Sequence, residues 1–194
     1  MSGVNTTPYD TVVGPGSVWL APVGTAFPVV DLATPAAAWI SLGETDGGLT
    51  FTPKRSVKKH YTDQSFAPKK TTVTLRETEV SVALAQITLE RLAKILDGQA
   101  IVTVAAGAGT AGYRYFTLSA AATLPQYAML IRVPSPYGDG YTQIELACVS
   151  PSGDQKIVFK KDDMSTIPTT WDALEDPANA GRFGTVRAFN AVAL

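Results

Sequence analysis

The sequence predicts a mainly β protein with one short α-helix, arranged as an antiparallel sandwich or barrel. Short apolar segments with a period of two recur along the 194 residues, separated by clusters of Gly, Pro or Ser. One segment instead has the 3.6-residue spacing of a helical face. Hydrophobic residues make up 45% of the chain, enough for a sizeable core. The length fits one domain, which we place at residues 17–194 after an N-terminal arm.

The first elements are read from the positions of Gly and Pro. Residues 1–16 are predicted as an arm, because Gly14-Pro15-Gly16 and Pro8 break any regular period. Residues 18–21 are predicted as a strand. Residues 39–42 and 49–51 are predicted as two strands around a turn-rich hairpin loop.

A long extended loop is predicted at residues 53–70. The segment is basic and has no helical period. Compact domains rarely carry a loop of this length unless it has a function. Contact with another protein is the favoured function, because the aromatic residues needed to stack nucleic-acid bases are sparse there. A merely solvated loop stays open as an alternative.

The next strand, residues 71–85, changes face partway along. Val73 and Leu75 occupy odd positions, whereas Val80, Val82 and Leu84 occupy even ones. Because side chains alternate along a strand, the apolar set moves to the other face. The pattern predicts a bulge near residues 77–79, or one strand that serves two sheets in turn.

The helix is predicted at residues 88–97. Leu89, Leu92, Ala93 and Leu96 form its apolar face. Thr88 is the expected N-cap, Gly98 follows the C-terminus, and Glu90 and Lys94 are spaced as an ion pair. A helix this short is unstable alone, so it must pack on a sheet.

The remaining chain is predicted as further strands at residues 101–105, 113–118, 126–133, 141–149, 155–160 and 183–192. Residues 162–177 are predicted to be irregular. Trp171 and Leu174 are the expected apolar anchors of that segment.

No motif supports catalysis, a cofactor or a metal. Residues 107–112 match a dinucleotide-binding pattern, but strand-like residues follow where a helix is needed, which favours a hairpin loop. His60 is the only histidine and no Gly-x-Ser-x-Gly motif is present, so a loop histidine is favoured. The acidic pairs Asp162-Asp163 and Glu175-Asp176 are interpreted as solvated loop charge. Cys148 is the only cysteine, which excludes an internal disulfide. We therefore expect a protein that is not an enzyme.

Charge and hydropathy limit the partners. The formal net charge is −1, so no global field attracts nucleic acid or a membrane surface. Charged residues make up 17% of the chain, below the roughly 25% of typical soluble domains, which suggests a surface covered by partners. No secretory signal or membrane-spanning apolar run is apparent.

The order of these features resembles a known family. A Trp-Ile-x-Leu-Gly strand begins at Trp39 and leads to Thr45-Asp46-Gly47-Gly48-Leu49. The charged loop, the Thr-, Val- and Glu-rich strand, and a Leu-Glu-x-Leu-Ala-x-x-Leu helix follow, and Ile167-Pro168-Thr169-Thr170-Trp171-Asp172-Ala173-Leu174 comes late. From Val18 to Val192 this order resembles the major tail protein, or tail tube protein, of long-tailed bacteriophages and related phage-like particles.

The resemblance implies a structural virion protein. Subunits would form two packed sheets flanked by a helix, join as hexameric rings and stack into the tail tube. DNA would pass through a polar or acidic lumen without specific binding. The implied partners are other copies of the chain and the tape-measure, tail terminator and tail-tip proteins, assembled in the bacterial cytoplasm. A tail terminator, a head decoration protein and a carbohydrate-binding sandwich module are the alternatives.

Two sets of site residues follow from the resemblance. The long loop would contact the adjacent ring through Lys54, Arg55, Lys58, Lys59, Asp63, Lys69 and Lys70. Glu77 and Glu79 are the candidates for the lumen face. Buried pairing of these glutamates with Arg76 or another cation is the competing interpretation.

Overall fold

The chain folds into antiparallel strands and one helix. A computed structural model describes residues 14–29, 33–96, 99–118, 123–137, 140–157, 159, 161 and 164–189, so most of the predicted N-terminal arm lies outside them. The strands in those ranges are β1 (Ser17–Pro22), β2 (Ile40–Ser41), β3 (Thr45–Thr62), β4 (Ser65–Leu84), β5 (Val102–Val104), β6 (Tyr113–Tyr115), β7 (Tyr127–Pro134), β8 (Tyr141–Ser152), β9 (Ile167–Ala173) and β10 (Gly184–Ala188), and the helix is α1 (Leu89–Leu96).

The main sheet has the order β2-β1-β7-β8-β9-β4-β3, and β5 and β6 form a separate ribbon. All the pairings are antiparallel. The predicted class, mainly antiparallel β with one short helix, is confirmed. Within the described ranges the sheet does not close on itself, so the fold is sandwich-like rather than a closed barrel.

The sheet divides at β8. One edge of β8 pairs with β7, while the opposite edge pairs with β10 over Thr142–Leu146 and with β9 over Val149–Ser152. Two strands therefore share one edge of β8 in succession. Strands β9, β4 and β3 continue the sheet from the second half of β8, which lets them face β1 and β7 across a common core.

That core is made by alternate residues of both layers. Strands β1 and β7 contribute the buried side chains of Val18, Leu20, Met129 and Ile131, and β4 and β9 contribute those of Val80, Val82, Leu84 and Trp171. Ile95 of α1 joins the same cluster. The largest fully buried side chain is that of Trp171, whose ring meets the Tyr127 ring edge-on at 6.1 Å between centroids.

A second, smaller core lies on the other side of β1 and β7. Residues 23–29 and 33–39 cross this face, and Trp39 packs over Ala21, Ala128 and Leu130. The Phe27 ring lies 5.1 Å from the Trp39 ring. Both faces of β1 and β7 are therefore buried, which explains why residues 127–132 are buried without alternation.

A buried polar network binds residues 23–29 and 33–39, which we call the crossing segment, to the sheet. Arg132 Nε donates to Gln143 Oε1 at 2.9 Å, and Gln143 Nε2 donates to Glu145 Oε1 at 2.7 Å and to the Pro28 carbonyl at 2.9 Å. Arg187 of β10 pairs with Glu145 at 3.3 Å. Buried polar groups of this kind are costly unless bonded, and here they join β7, β8 and β10 to the crossing segment.

The helix forms close to its predicted position. Thr88 Oγ1 accepts a hydrogen bond from the Arg91 amide at 3.4 Å, as expected of an N-cap. In place of the predicted Glu90–Lys94 pair, Glu90 binds Arg114 at 2.7 Å, and the Lys94 ammonium lies 5.3 Å from the centre of the Tyr127 ring. Gly98 lies outside the described residues. No helix in the described ranges is long and apolar enough to cross a membrane.

Two strand assignments were wrong. Residues 43–48 do not join two strands of a hairpin, because β2 pairs with β1, whereas β3 pairs with β4 and includes residues 45–48. Gly47 and Gly48, with φ of 72° and 85°, form an irregularity in the pairing of β3. The predicted strand at residues 155–160 is absent from its described residues, 155–157 and 159.

The predicted irregular segment contains β9. Ile167, Thr169, Trp171 and Ala173 alternate as buried residues along it, and Trp171 is the anchor expected from the sequence. Pro168 and the run of polar residues obscured this period. Leu174 is half-buried, and the end of the predicted last strand lies outside the described residues.

The bulge in β4 lies elsewhere than predicted. Pairing with β3 is regular through residues 76–82, so the bulge expected near residues 77–79 is absent. The register shifts instead at Thr74, because Ser56 pairs with Leu75 whereas Val57 pairs with Val73. This shift returns Val73 to the face that carries Val80 and leaves Leu75 on the other face.

We expect Trp171→Ala to lower the free energy of unfolding by about 3–5 kcal/mol, because the substitution leaves a cavity between the two layers. Urea unfolding followed by far-ultraviolet circular dichroism measures the change. Phe159→Ala is the control: its side chain is 78% exposed, so the expected change is within about 0.5 kcal/mol. Equal losses for both variants would contradict the assigned core.

Candidate assembly surfaces

The predicted long loop is a β-hairpin that projects from the sheet. Strand β9 pairs with β4 only over Glu79–Leu84, so beyond that point β3 and β4 pair only with each other. We call residues 53–77 the projecting hairpin. Asp63 and Gln64 form its turn, between the paired residues Thr62 and Ser65. At about 3.3 Å per residue, the hairpin reaches roughly 35 Å from its base.

The hairpin was mistaken for a loop because its sequence is a poor strand signal. Lysines and prolines, which strands disfavour, occupy many of its positions, and both of its faces are exposed. A period of two marks a strand only where one face is buried. The pairing of its two strands therefore produces no alternation of apolar and polar residues in the sequence.

Charge is strongly divided between the hairpin and the rest of the chain. Residues 53–77 contain seven Lys and Arg against two Asp and Glu, a net charge of +5. The other residues contain nine Lys and Arg against fifteen Asp and Glu, a net charge of −6. The nearly neutral total therefore hides two regions of opposite sign.

The structure brings the predicted contact residues together on this hairpin and exposes them. They do not form one surface. The register assigns Lys54 and Lys58 to one face of the hairpin and Arg55 and Lys59 to the other, with Asp63 at the turn. Lys69 and Lys70 lie near the tip on β4, and Lys70 pairs with His60.

A second exposed surface lies on the outer side of β3, β4 and β9. Thr52, Glu79 and Asp172 are neighbours across the three strands, and the next row, Phe51, Val80 and Trp171, points into the core. By the same alternation, Asp46 and Glu77 lie on the outer side. We call Asp46, Glu77, Glu79 and Asp172 the acidic face.

The remaining side chains of the acidic face are mostly small and polar. Thr50, Ser81 and Thr170 form one row across the three strands. Asp46 and Asp172 were missed in the sequence because the partners of β4 were unknown. Once β9 is paired with β4, the buried Trp171 assigns the adjacent Asp172 to the outer side.

Glu79 is paired at the base of the hairpin, with a residue other than Arg76. Its carboxylate accepts a hydrogen bond from Lys54 Nζ at 2.6 Å. Arg76 pairs with Arg55 in the register, on the opposite face of the hairpin. The bond from Lys54 lowers the pKa of Glu79, and the same bond raises the pKa of Lys54. The partner of Glu79 is therefore another cation than Arg76, and the pair is solvent-exposed rather than buried as the competing interpretation expected.

The structure also places the Gly-rich motif, one acidic pair and the cysteine that the sequence analysis considered. Gly107 and Thr110 pair across a tight turn that leads into β6, which confirms a hairpin loop. Asp176 accepts hydrogen bonds from the Ala178 amide at 2.8 Å and the Asn179 side chain at 2.9 Å, so it orders its loop. Asp162 and Asp163 lie outside the described residues. Burial raises the pKa of Cys148.

The described residues show neither a metal site nor a tryptophan platform for a sugar. The described residues contain no group of three or more His, Cys, Asp or Glu that could hold a metal ion. Trp39 and Trp171 are buried, and Trp19 is half-buried, with its ring 5.9 Å from the Arg132 guanidinium. The tryptophans therefore do not form the exposed flat face that a carbohydrate-binding module needs.

Comparison with known proteins identifies the family. A family model described as phage tail tube protein matches residues 3–183. The matched range contains the projecting hairpin, the acidic face and every element from β1 to β9. No curated protein matches the chain.

We expect Glu79 to titrate below the usual glutamate pKa, and Lys54→Met to move its pKa upward. Because folding lowers this pKa, the pair stabilises the fold above the unfolded-state pKa, and this contribution disappears as pH falls through the folded-state pKa. Carboxyl-carbon NMR titration measures both values. Arg76→Met is the control and should leave the Glu79 titration unchanged. A shift caused by Arg76→Met would contradict the assigned partner.

Proposed function

This chain belongs to the phage tail tube protein family, and we propose that it assembles into hexameric rings that stack into the hollow tube of a phage tail. The projecting hairpin is the observation that carries the proposal. It extends roughly 35 Å from the sheet without a core of its own. Its net charge of +5 opposes the −6 of the remaining chain.

A hairpin of this kind is suited to contact with another copy. A two-stranded ribbon is at best marginally stable alone in water, so a structure of this length gains from being held by a partner. A second copy offers surface of the opposite charge. Complementary charges fix the register of an interface and speed its formation more than they add affinity. We therefore propose that the hairpin docks on the adjacent ring, through the seven residues assigned to it in the sequence.

The open sheet edges support closure of a ring. Among the described strands, β3 is an edge strand over its whole length, and β2 ends the opposite edge. Exposed edges present unpaired amides and carbonyls that favour pairing with another chain. Pairing between neighbouring subunits around a ring would satisfy these groups and would also account for the low charge content of the chain.

The acidic face has the composition that a DNA-conducting lumen needs. Its four carboxylates would repel phosphates, and the neighbouring hydroxyl groups would bind phosphates only weakly. Lys54, the cation on the same side at the base of the hairpin, is held by Glu79. Cations that bind phosphates release counterions and grip DNA, which would slow its passage. We propose that Glu77 and Glu79 line the lumen and that DNA passes without specific binding.

This function is structural and involves no catalysis. It places the protein in the virion, with assembly in the host cytoplasm. The further partners are those of a tail: the tape-measure protein, the tail terminator and the tail-tip proteins. A terminator would stop at a single ring, whereas a tube protein adds ring upon ring.

We expect the concentrated wild-type protein to form hollow tubes or stacked rings, and Lys58→Glu/Lys59→Glu to stay folded without stacking. Reversing two charges turns attraction between the hairpin and the next ring into repulsion. Negative-stain electron microscopy and size-exclusion chromatography measure assembly, and circular dichroism checks the fold.

The matched control is Lys156→Glu/Lys161→Glu, which makes the same change in net charge at two exposed lysines outside the hairpin. These tubes should resemble the wild type. Normal tubes from Lys58→Glu/Lys59→Glu would contradict the docking role of the hairpin. A wild-type protein that stays monomeric at every concentration, or stops at single rings, would contradict the tube assignment.

If Glu77 faces the lumen, a cysteine at this position in assembled tubes should react only with reagents small enough to enter. Glu77→Cys should react with a small maleimide but not with a maleimide carried on a polymer wider than the lumen. The native Cys148 should stay silent, because it is buried and its pKa is raised. Lys161→Cys is the control and should react with both reagents. Equal labelling of Glu77→Cys by both reagents would place Glu77 outside the lumen.

A further inference from the structure

The β5–β6 ribbon has an apolar face that stays largely exposed. Val102 pairs with Tyr115, and Val104 pairs with Tyr113, so these four side chains lie on one face. Tyr113 is 56% exposed, Val102 45% and Tyr115 42%. The two tyrosine rings contact each other at 5.9 Å between centroids. The ribbon therefore presents a contiguous patch of aromatic and aliphatic surface to solvent.

The opposite face of the ribbon is polar and is exposed as well. Thr103 and Arg114 form it. Arg114 binds Glu90 of α1 at 2.7 Å in a surface ion pair that links the ribbon to the helix. A surface element of a lone subunit gains free energy by burying its apolar side. Here that side stays largely exposed and is available to a partner.

The chemistry of the patch selects an uncharged partner surface. Between residues 99 and 118 the only ionisable Lys, Arg, Asp or Glu is Arg114, which is already paired. Burying the patch against a charged surface such as the acidic face would leave carboxylates desolvated without a counter-ion. Tyrosine suits the role because it supplies a large contact area with few rotatable bonds.

The size of the patch selects the kind of complex. The exposed parts of these four side chains amount to on the order of 350 Å². A stable, independent complex buries about 800 Å² on each partner. The patch is therefore too small to hold a separate soluble protein or a free dimer. It fits an additional contact between copies that other surfaces already hold together.

We infer that the apolar face of the β5–β6 ribbon packs against an uncharged surface of a second copy of this chain in the assembled tube. The inference rests on the proposed function. It adds a contact made by Val102, Val104, Tyr113 and Tyr115, separate from the projecting hairpin and from the acidic face. The contact forms only on assembly and makes assembly more cooperative.

The test compares Tyr113→Ser/Tyr115→Ser with wild-type protein. Both side chains are exposed, so the variant should fold with a wild-type circular dichroism spectrum and stay monomeric when dilute. Its critical concentration for assembly, measured by light scattering and checked by electron microscopy, should rise at least tenfold. Phe159→Ser is the control, since it removes an aromatic ring elsewhere that is even more exposed and should leave the critical concentration unchanged.

A second measurement needs no substitution. Hydrogen exchange of wild-type protein should slow at residues 102–104 and 113–115 on passing from monomer to tube. Unchanged exchange there, or an unchanged critical concentration for the double variant, overturns this inference while the tube assignment stands. Protection that appears only after another tail protein is added also overturns it. A wild-type protein that never assembles contradicts the proposed function itself.

Discussion

The rest of the structure depends on the pairing of β4, which has β3 beside it along most of its length but β9 along only one part. Strand β4 runs for 20 residues, but β9 accompanies it only over Glu79–Leu84. In that stretch, alternation divides the strand between the buried Val80, Val82 and Leu84 and an outer side that begins at Glu79. Beyond the buried Thr78, β3 is the only described strand beside β4, and both faces meet solvent. One register thus defines the core, the acidic face and the base of the projecting hairpin.

The body that carries the hairpin is held by two different kinds of burial. The main core joins the two layers through apolar contact around Trp171, which depends on volume and tolerates small adjustments. The opposite side of β1 and β7 uses the Arg132–Gln143–Glu145 network, which depends on hydrogen-bond geometry. Its bonds to the carbonyls of Pro28 and Ala33 fix the crossing segment in one position. A rigid body matters for a subunit that must repeat the same contacts many times.

Elements with one buried face, including the helix, could be predicted from the sequence. Strands whose position depends on which other strands they pair with could not. The class of fold, the helix and its N-cap Thr88 followed from local patterns. Strand β9 was missed because Pro168 interrupts a stretch whose alternation becomes clear only beside β4. The hairpin was missed because its basic residues have no buried face to reveal a period. The five lysines, the arginine and the aspartate chosen for contact were brought onto one hairpin, yet the sequence did not reveal that they are divided between its two faces, because the segment was predicted as a loop.

The separation of charge addresses two opposing demands on a tube subunit. In the proposed tube, copies of the chain attract one another, while the channel that they enclose does not hold a polyanion. A uniform net charge would satisfy one demand at the expense of the other. Here the net positive charge is confined to residues 53–77, which project away, and the carboxylates line the outer side of the sheet. The two regions meet at Lys54 and Glu79, whose side chains bond at 2.6 Å. Short-range pairing at this boundary therefore joins the basic projecting half of one strand pair to its acidic half.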